Sequence, residues 1–416
     1  MRWKIEDTPE RAEFRAGFKA WLVSVLPEGW VEALAAGDDG AFAKAREGFN
    51  WLAWMGVIGR TPYAAPLWPT EHGGLSGEAW MQQLVREELV SHRLPIFGVN
   101  LLGVGLAGPT IIAHGTKAQK NRYLAKILSG EEIWCQLFSE PGSGSDLASL
   151  STRAVRDGDE WVVNGQKVWT SIASLSAFGM LLARSNPEVP KHEGLTYLIV
   201  DMKSSGVEVR PLRQITGSAD FNEVFFTDVR IPDANRVGDV GDGWRAARTT
   251  LMNERVALSG LSIDASSLMG GVRRDAWDAL LSGVADRADP LVRQELARVY
   301  IATEVKEITS FRSSAARLSG QVPGAEGGVS KVFNAELNQY KSAVAMNAAG
   351  MSSIAWDDSA GGEGGSRATA FLRARANTIE GGTSEVLRNQ MAERILGLPR
   401  EVEVDKGIPW AETRRS

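Results

Sequence analysis

One glutamate of this chain stands at a position where a carboxylate costs free energy of folding unless it is paired or has a functional role. Glu254 shares a helical face with three leucines, Leu251, Leu258 and Leu261. That spacing places its side chain on the apolar stripe of a helix. A buried carboxylate is either paired with a cation, such as Arg255 or an arginine of another chain, or it binds a proton more tightly than in water. Glu254 is therefore a candidate general base.

A second group of residues suited to ligand binding is the run Ser139-Glu140-Pro141-Gly142-Ser143-Gly144-Ser145-Asp146, called here the 139–146 loop. Its glycines let the backbone come close to a ligand, and its hydroxyls and amides can bind a polar edge. It is not a dinucleotide fingerprint, because the G-x-G-x-x-G spacing is absent, and it is not a P-loop, because no Gly-Lys-Ser/Thr follows. Taken alone, the loop favours a plain turn over a cofactor site.

Three regions of different periodicity must position these residues. The apolar spacing is helical up to about residue 130, as at 11–26, 78–92 and 117–128. It is helical again from about residue 243 to 396, where Gly397 and Pro399 end the last helix.

Between these regions the period is two, which predicts a series of short strands. They are expected at 153–156, 161–163, 166–170, 179–184, 196–201, 207–210 and 223–229. The pair Asn164-Gly165 between two of them predicts a hairpin turn. Several short strands joined by turns predict a small barrel or sandwich.

Bulk properties narrow the class of protein. The 416 residues carry a net charge of −5, which argues against nucleic acid or an anionic membrane as the main partner. Cys135 is the one cysteine, so no intrachain disulfide forms, and the start of the chain has no apolar signal core. We therefore expect a cytoplasmic protein. Residues 94–114 contain no Asp, Glu, Lys or Arg, but Pro95 and Pro109 favour buried, broken helices over a membrane span.

Several further motifs accompany the Glu254 region and the 139–146 loop along the chain. The run 134–146, the segment Asn164-Gly165-Gln166-Lys167 and the triplet Trp169-Thr170-Ser171 are similar, in order and spacing, to the core signature of the acyl-CoA dehydrogenases. Other segments that resemble this family are Trp68-Pro69 with Gly73-Gly74, the run 223–232, Gly241-Asp242-Gly243-Trp244, and the runs 381–386 and 393–397. The resemblance covers nearly the whole chain.

The resemblance implies an α+β fold of the acyl-CoA dehydrogenase type, with an N-terminal helical domain, a central β-barrel or sandwich and a C-terminal helical bundle. The expected boundaries are 1–131, 132–240 and 241–400, with a tail at 401–416. It also implies FAD, held by residues that carry over by position: Gln136, Phe138, Ser139, Gly144, Ser145, Trp169, Thr170, Ser171, Thr383 and Glu385. Ser171 would lie near flavin N5, and Ser145 and Arg255 would meet the substrate. A plain core aromatic is the alternative for Trp169.

The family most often places its catalytic glutamate directly before a Gly-Thr near the C-terminus, where this chain has Gly381. A second arrangement, that of isovaleryl-CoA-type members, places it on a helix before an arginine and matches Glu254-Arg255. The resemblance therefore implies that Glu254 removes the α-proton of an acyl thioester while flavin N5 takes the β-hydride. Glu380 and a structural Glu–Arg pair are the alternatives. An electron-transfer flavoprotein would reoxidise the flavin.

The chain departs from the family in two places. The arginine, phenylalanine and glutamine that often follow the base helix are not clear in 270–277 or 289–294, and the second glycine-rich cofactor loop is not recognisable in 351–365. These gaps favour a homo- or hetero-oligomer, dimer or tetramer, in which another subunit completes the site. A flavin monooxygenase on the same fold and a binding protein without chemistry are the rival functions.

Overall fold

A computed structural model describes residues 6–94, 100–259, 289–321, 327–354 and 363–413 of the chain. The chain divides into two compact units. The first comprises Met1–Leu212, Ala219–Glu254 and Glu403–Ser416, and the second comprises Arg213–Ser218 and Arg255–Val402.

The first unit begins with a helical layer, as the sequence predicts. Its helices are α1 (Pro9–Val25), α2 (Trp30–Ala36), α3 (Asp39–Ala45), α4 (Trp51–Gly59), α5 (Ala79–Ser91), α6 (Gly108–His114) and α7 (Lys117–Ser129). Thr8 caps α1, and Thr116 with Gln119 forms a capping box at α7. Aromatic and leucine side chains fill the core between the helices, among them Phe18, Leu22, Trp30, Trp54 and Leu89.

Residues 100–114, which contain no Asp, Glu, Lys or Arg, are helical and mostly buried or half-buried. A π-helix over Gly103–Ala107 runs directly into α6, and Pro109 stands in the first turn of α6. Gly108 is needed there because a Cβ would lie 1.9 Å from Cζ2 of the Trp68 ring. No helix among the described residues is long and apolar enough to cross a membrane.

A mainly antiparallel sheet follows in the first unit. Its strands are β1 (Trp134–Leu137), β2 (Arg153–Asp157), β3 (Glu160–Ser171), β4 (Phe178–Arg184), β5 (Leu195–Asp201), β6 (Val207–Leu212), β7 (Phe221–Pro232) and β8 (Arg236–Val237). The order is β6-β7-β3-β2-β4-β5-β8, with β1 parallel to β4. Side chains of β1 to β5 and β7 meet in one core, which includes Cys135, Trp161, Leu181, Val200 and Phe226. The predicted strands are confirmed, except that 161–163 and 166–170 belong to the single strand β3.

The predicted hairpin turn at Asn164-Gly165 is wrong. Both residues lie inside β3, and the chain turns instead between β2 and β3 at residues 158–159. The register of β3 against β7 shifts between Val163 and Gly165, where Thr227 and Asp228 of β7 stand opposite Asn164 alone, so the bulge lies in β7. Gly165 is required because a Cβ would lie 2.5 Å from Oγ1 of Thr152. The glycine thus permits a close approach within a long strand rather than a turn.

The helical pattern returns with α8 (Gly243–Ser259), which leads out of the first unit. The second unit contains α9 (Pro290–Leu318), α10 (Gly327–Ala349), α11 (Glu363–Ala374) and α12 (Ser384–Arg394). Its described core joins α9, α10 and α11 through Leu296, Val299, Val344, Ala345 and Ala370. Gly397 has a φ of +68° shortly after α12, as expected of a glycine that ends a helix.

Candidate active site

The strand β1 and the helix α8 bring two predicted site residues together. Nε2 of Gln136 lies 3.4 Å from Oε2 of Glu254, and both side chains are half-buried. Gln136 is on β1, directly before the 139–146 loop, so the carboxylate of Glu254 stands beside the strand that leads into that loop. Ala246, Ala247 and Thr250 form the buried face of α8. The side chains of Arg255, Leu258 and Leu261 lie outside the described part of the chain.

Hydroxyl groups fix the position of α8 one turn before Glu254. Oγ1 of the fully buried Thr250 lies 2.8 Å from Oγ1 of Thr110 and 3.1 Å from the hydroxyl of Tyr197. Nε2 of His114 lies 2.8 Å from Oγ1 of Thr249. Because Thr250 is four residues before Glu254, it lies on the same side of the helix. These bonds tie α8 to β5 and α6 and so set where the glutamate points.

An ion pair buried beneath the 139–146 loop holds the start of that loop. Nζ of Lys167, which is 0% exposed, donates to Oε1 of Glu140 at 2.8 Å and to the carbonyl of Phe138 at 2.8 Å. The backbone N–H groups of Ser151 and Thr152 donate to the same carboxylate at 2.6 and 2.8 Å. The Glu140 carboxylate therefore joins the start of the 139–146 loop to Lys167 on β3 and to Ser151 and Thr152, which follow the loop in sequence.

The charge state of this pair follows from its surroundings. Burial by itself raises the pKa of the Glu140 carboxyl, but the charge of Lys167 and the hydrogen bonds from Lys167, Thr152 and Ser151 outweigh it. The pKa of Glu140 therefore lies below its ordinary value, and the carboxylate stays charged at neutral pH. The pair is a structural one, since both of its members face inward rather than toward a ligand.

The end of β3 presents an aromatic side chain in an unusual way. Trp169 has a φ of +59° and is 58% exposed, so it is not a core aromatic. Its ring meets the Phe221 ring edge-on at 5.9 Å, and the register of β3 against β7 shifts again between Lys167 and Thr170. A non-glycine residue with positive φ is strained, and such strain is often kept at ligand sites. Beside it, Ser171 is half-buried and Thr170 is 1% exposed.

The other predicted residues of the first unit divide by exposure. Phe138 is buried and its ring contacts the Tyr197 ring edge-on at 6.0 Å. Ser139 is half-buried, whereas Gly144 and Ser145 are exposed at the tip of the loop. A Cβ added at Gly144 would have open space around it. The loop thus offers exposed backbone and a serine hydroxyl at its tip. Its start lies beside the segment that carries Trp169, because the N–H of Val168 donates to the carbonyl of Ser139 at 2.9 Å.

The C-terminal candidates lie in the second unit. The hydroxyl of Thr383 caps α12 by accepting from the N–H of Val386 at 3.1 Å, and Glu385 is exposed in the first turn. Glu380, the alternative base, is engaged: its carboxylate accepts from Arg373 at 2.8 Å and from Nδ2 of Asn377 at 2.6 Å.

Sequence reasoning missed the residues that support the site. Lys167 stands at an inward position of β3, and a charged residue in that place signals a buried partner. Thr250 stands one helical turn before Glu254, on the side of α8 that faces Tyr197. Both were visible as polar residues at buried positions of a periodic pattern, but their partners are 27 and 53 residues away in sequence.

Comparison with known proteins identifies the family. The acyl-CoA dehydrogenase N-terminal, middle and C-terminal domains match residues 9–131, 135–229 and 241–396. The chain belongs to the acyl-CoA dehydrogenase family. It is therefore a flavoprotein oxidoreductase of lipid metabolism, and the resemblance and the fold class predicted from its motifs are confirmed.

Two curated relatives come from Mycobacterium tuberculosis. The acyl-CoA dehydrogenase IpdE1 is 40% identical over 397 residues, which cover 94% of this chain and 98% of that protein. The acyl-CoA dehydrogenase FadE34 is 41% identical over 346 residues, which cover 83% of this chain and 46% of that protein. The chain thus spans IpdE1 almost completely and about half of FadE34.

Two solved structures of this family contain two different named components. The Tcur3481-Tcur3483 steroid acyl-CoA dehydrogenase matches with a TM-score of 0.74 and 29% identity, covering 96% of this chain and 100% of that one. The ChsE4-ChsE5 complex from Mycobacterium tuberculosis matches with a TM-score of 0.71 and 30% identity, again over 96% and 100%. These relatives support acyl-CoA dehydrogenation as the activity of this chain.

Proposed function

We propose that this chain desaturates an acyl-CoA thioester between the α and β carbons, with Glu254 as the base that removes the α-proton. The observation that carries the proposal is the 3.4 Å approach of Gln136 and Glu254, which sets a half-buried carboxylate beside the strand that leads into the 139–146 loop. The hydroxyl network around Thr250 holds the helix, so the carboxylate is positioned before any ligand binds.

The residues of β1 and β3 fit the FAD that the family implies. Trp169 offers an exposed indole, Ser171 a half-buried hydroxyl and Gly144 an exposed backbone with open space beside it. An aromatic face and a few hydroxyl and amide donors are what a flavin ring system needs. We propose that the cofactor is held by Gln136, Phe138, Ser139, Gly144, Ser145, Trp169, Thr170 and Ser171, and that Thr383 and Glu385 also contribute to its binding. FAD, when bound, supplies the acceptor for the β-hydride.

The choice between the two candidate bases rests on the position of each carboxylate. Glu380 is held by Arg373 and Asn377, which would have to release its carboxylate before it could take a proton. The Glu254 carboxylate lies 3.4 Å from the neutral amide of Gln136, on the strand that leads into the 139–146 loop. Gly381 stands where many family members carry the glutamate, so the C-terminal position offers no carboxylate of its own. Glu254 is the better placed base.

Two matched substitutions test this assignment. Loss of a general base costs about 10²–10⁴-fold in rate, so Glu254→Gln should slow flavin reduction by acyl-CoA at least about 100-fold. Glu380→Gln should leave the rate within about threefold of the wild type. Anaerobic stopped-flow bleaching of the flavin band is the measurement, with bound FAD quantified in each variant. The opposite ranking of the two variants would show that Glu380 is the base.

The rival monooxygenase function has its own signature in the same experiment. A panel of straight, branched and ring-bearing acyl-CoA thioesters is mixed anaerobically with the wild-type protein. Bleaching by at least one thioester supports the dehydrogenase. The absence of bleaching with every thioester, together with oxygen consumption driven by NADH, would refute it.

We further propose that the acyl group carries a ring system and that the enzyme is one component of a mixed oligomer. Two solved structures at 29% and 30% identity are complexes of two named components, and one of them is called a steroid enzyme. Gly381 replaces a glutamate, which leaves space for a bulky acyl group, and the cofactor motifs expected at 270–277 and 351–365 are not recognisable. A partner subunit would complete the site, and an electron-transfer flavoprotein would accept the electrons.

The state of the purified chain tests the mixed oligomer. Expressed alone, it should bind less than one FAD per chain and bleach slowly with steroid-bearing acyl-CoA. Native mass spectrometry gives the subunit and FAD count directly. A homotetramer with one FAD per chain and full bleaching would overturn this part of the proposal and leave the role of Glu254 untouched.

A further inference from the structure

The C-terminal residues 403–413 form a strap that lies on the β domain, although the sequence predicts only a tail there. The backbone N–H groups of Trp410 and Ala411 donate to the carbonyls of Val189 and Pro187, both at 2.9 Å. Trp410 is 7% exposed, so the strap is seated by a buried indole. Large aromatic side chains contribute much of the apolar area that holds such a segment in place.

The Trp410 side chain contacts the segment that directly follows the 139–146 loop. Its ring lies over the guanidinium of Arg184, with the Arg184 carbon 4.6 Å from the ring centre, and its Nε1 donates to the carbonyl of Ser149 at 3.2 Å. Arg184, itself 2% exposed, donates to the carbonyls of Ala148 and Leu150. Three consecutive carbonyls are therefore held by the strap and by the arginine beneath it.

A second link joins the strap to the loop itself. Nζ of Lys191 lies 3.0 Å from Oδ2 of Asp146, the last residue of the loop, and 3.1 Å from Oδ2 of Asp405 in the strap. Burial by itself lowers the pKa of Lys191, but the two carboxylates outweigh it and raise that pKa. A charged lysine thus bridges strap and loop.

The 139–146 loop is therefore held at both ends, at its start by a buried ion pair and at its end by the strap. Glu140 and Lys167 hold its start, together with the N–H groups of Ser151 and Thr152. Between these anchors Gly144 and Ser145 are exposed and carry few contacts. A loop of this kind keeps one shape only while both anchors hold.

We infer that the strap is a positioning element for the ligand-binding loop, with Trp410 and Asp405 as its positioning residues. The inference rests on the proposed function in one respect, that the 139–146 loop faces the flavin and the thioester. Because a loosened loop is competent for only part of the time, apparent ligand affinity falls by that fraction. The ligand itself orders the loop once it is bound, so turnover at saturation is preserved.

Hydrogen exchange of the full-length FAD-loaded protein tests the strap without reference to chemistry. Trp410→Ala should raise the exchange of backbone amides at 146–152 about tenfold or more, and leave those of β5 unchanged. Trp410→Phe keeps a ring over Arg184 and is less disruptive, so it should fall between Trp410→Ala and the wild type. Val404→Ala is the matched control, because Val404 lies in the strap and is 87% exposed. Unchanged exchange at 146–152, or an equal rise throughout the first unit, would overturn the inference.

Steady-state kinetics provide the second readout. In Trp410→Ala the KM for acyl-CoA should rise about three- to tenfold while kcat stays within about twofold. An equal loss in kcat for Trp410→Ala and Val404→Ala would overturn the inference. Failure of the wild-type protein to bleach with any thioester would instead count against the proposed function, and the exchange experiment would still decide the role of the strap.

Discussion

The buried ion pair under the 139–146 loop gives the sharpest stability prediction. In Lys167→Met, the carboxylate of Glu140 loses its cation. Both side chains are buried in the wild type, with Lys167 0% and Glu140 8% exposed. Removing one partner of a buried ion pair costs about 3–5 kcal/mol. Glu140 retains the N–H donors of Ser151 and Thr152 at 2.6 and 2.8 Å, which favours the lower end, about 3 kcal/mol.

The expected change is large enough to measure by thermal melting. A loss of about 3 kcal/mol lowers the melting temperature by about 6–12 °C in a unit of this size. Circular dichroism in the far ultraviolet follows the transition. Lys203→Met is the matched control, since Lys203 is exposed and should change stability by no more than about 0.5 kcal/mol.

A double variant separates the pair from its two members. The double variant Glu140→Gln with Lys167→Met removes both charges. Its loss of stability should be smaller than the sum of the losses in the two single variants, because each single variant leaves one charge buried without its partner and the double variant leaves none. The reasoning fails if Lys167→Met melts within about 2 °C of the Lys203→Met control, or if the two single losses simply add.

Three further predictions rest on individual contacts. Burial raises the pKa of the Cys135 thiol to about 12, so iodoacetamide should label it at least about a hundredfold more slowly in the native protein than in urea, as mass spectrometry would show. Gly108→Ala should cost about 1–3 kcal/mol by melting, because the added carbon meets the Trp68 ring at 1.9 Å. The hydrogen bond from Arg236 lowers the pKa of Asp233 from 3.8 to about 2, so its stabilisation is fully present above pH 3.8 and is lost as the pH falls through 2. Urea unfolding at a series of pH values should show a shallower loss over that window in Asp233→Asn.

The sequence alone determined the family and the order of helical and strand regions, and it predicted the residues of the candidate site. Periodicity was sufficient for these elements because each buries one face, as α1, α5 and α7 do. Motif order was sufficient for the family because many short signatures had to agree along the whole chain, and three domain families matched. The spacing of leucines around Glu254 predicted a helix there, and Glu254 lies in α8.

Only the tertiary structure decided the contacts that join distant parts of the chain. The Asn164-Gly165 pair has the local chemistry of a turn, but it lies within the long strand β3, where a Cβ at Gly165 would meet Thr152. Residues 403–413 have no helical or strand period, yet Trp410 docks on Arg184 across 226 residues of sequence. Such partners carry no local signal, because packing and hydrogen bonding depend on distance in space and not on distance along the chain. For that reason the sequence predicts the residues of the candidate site, whereas the fold determines which contacts hold them in place.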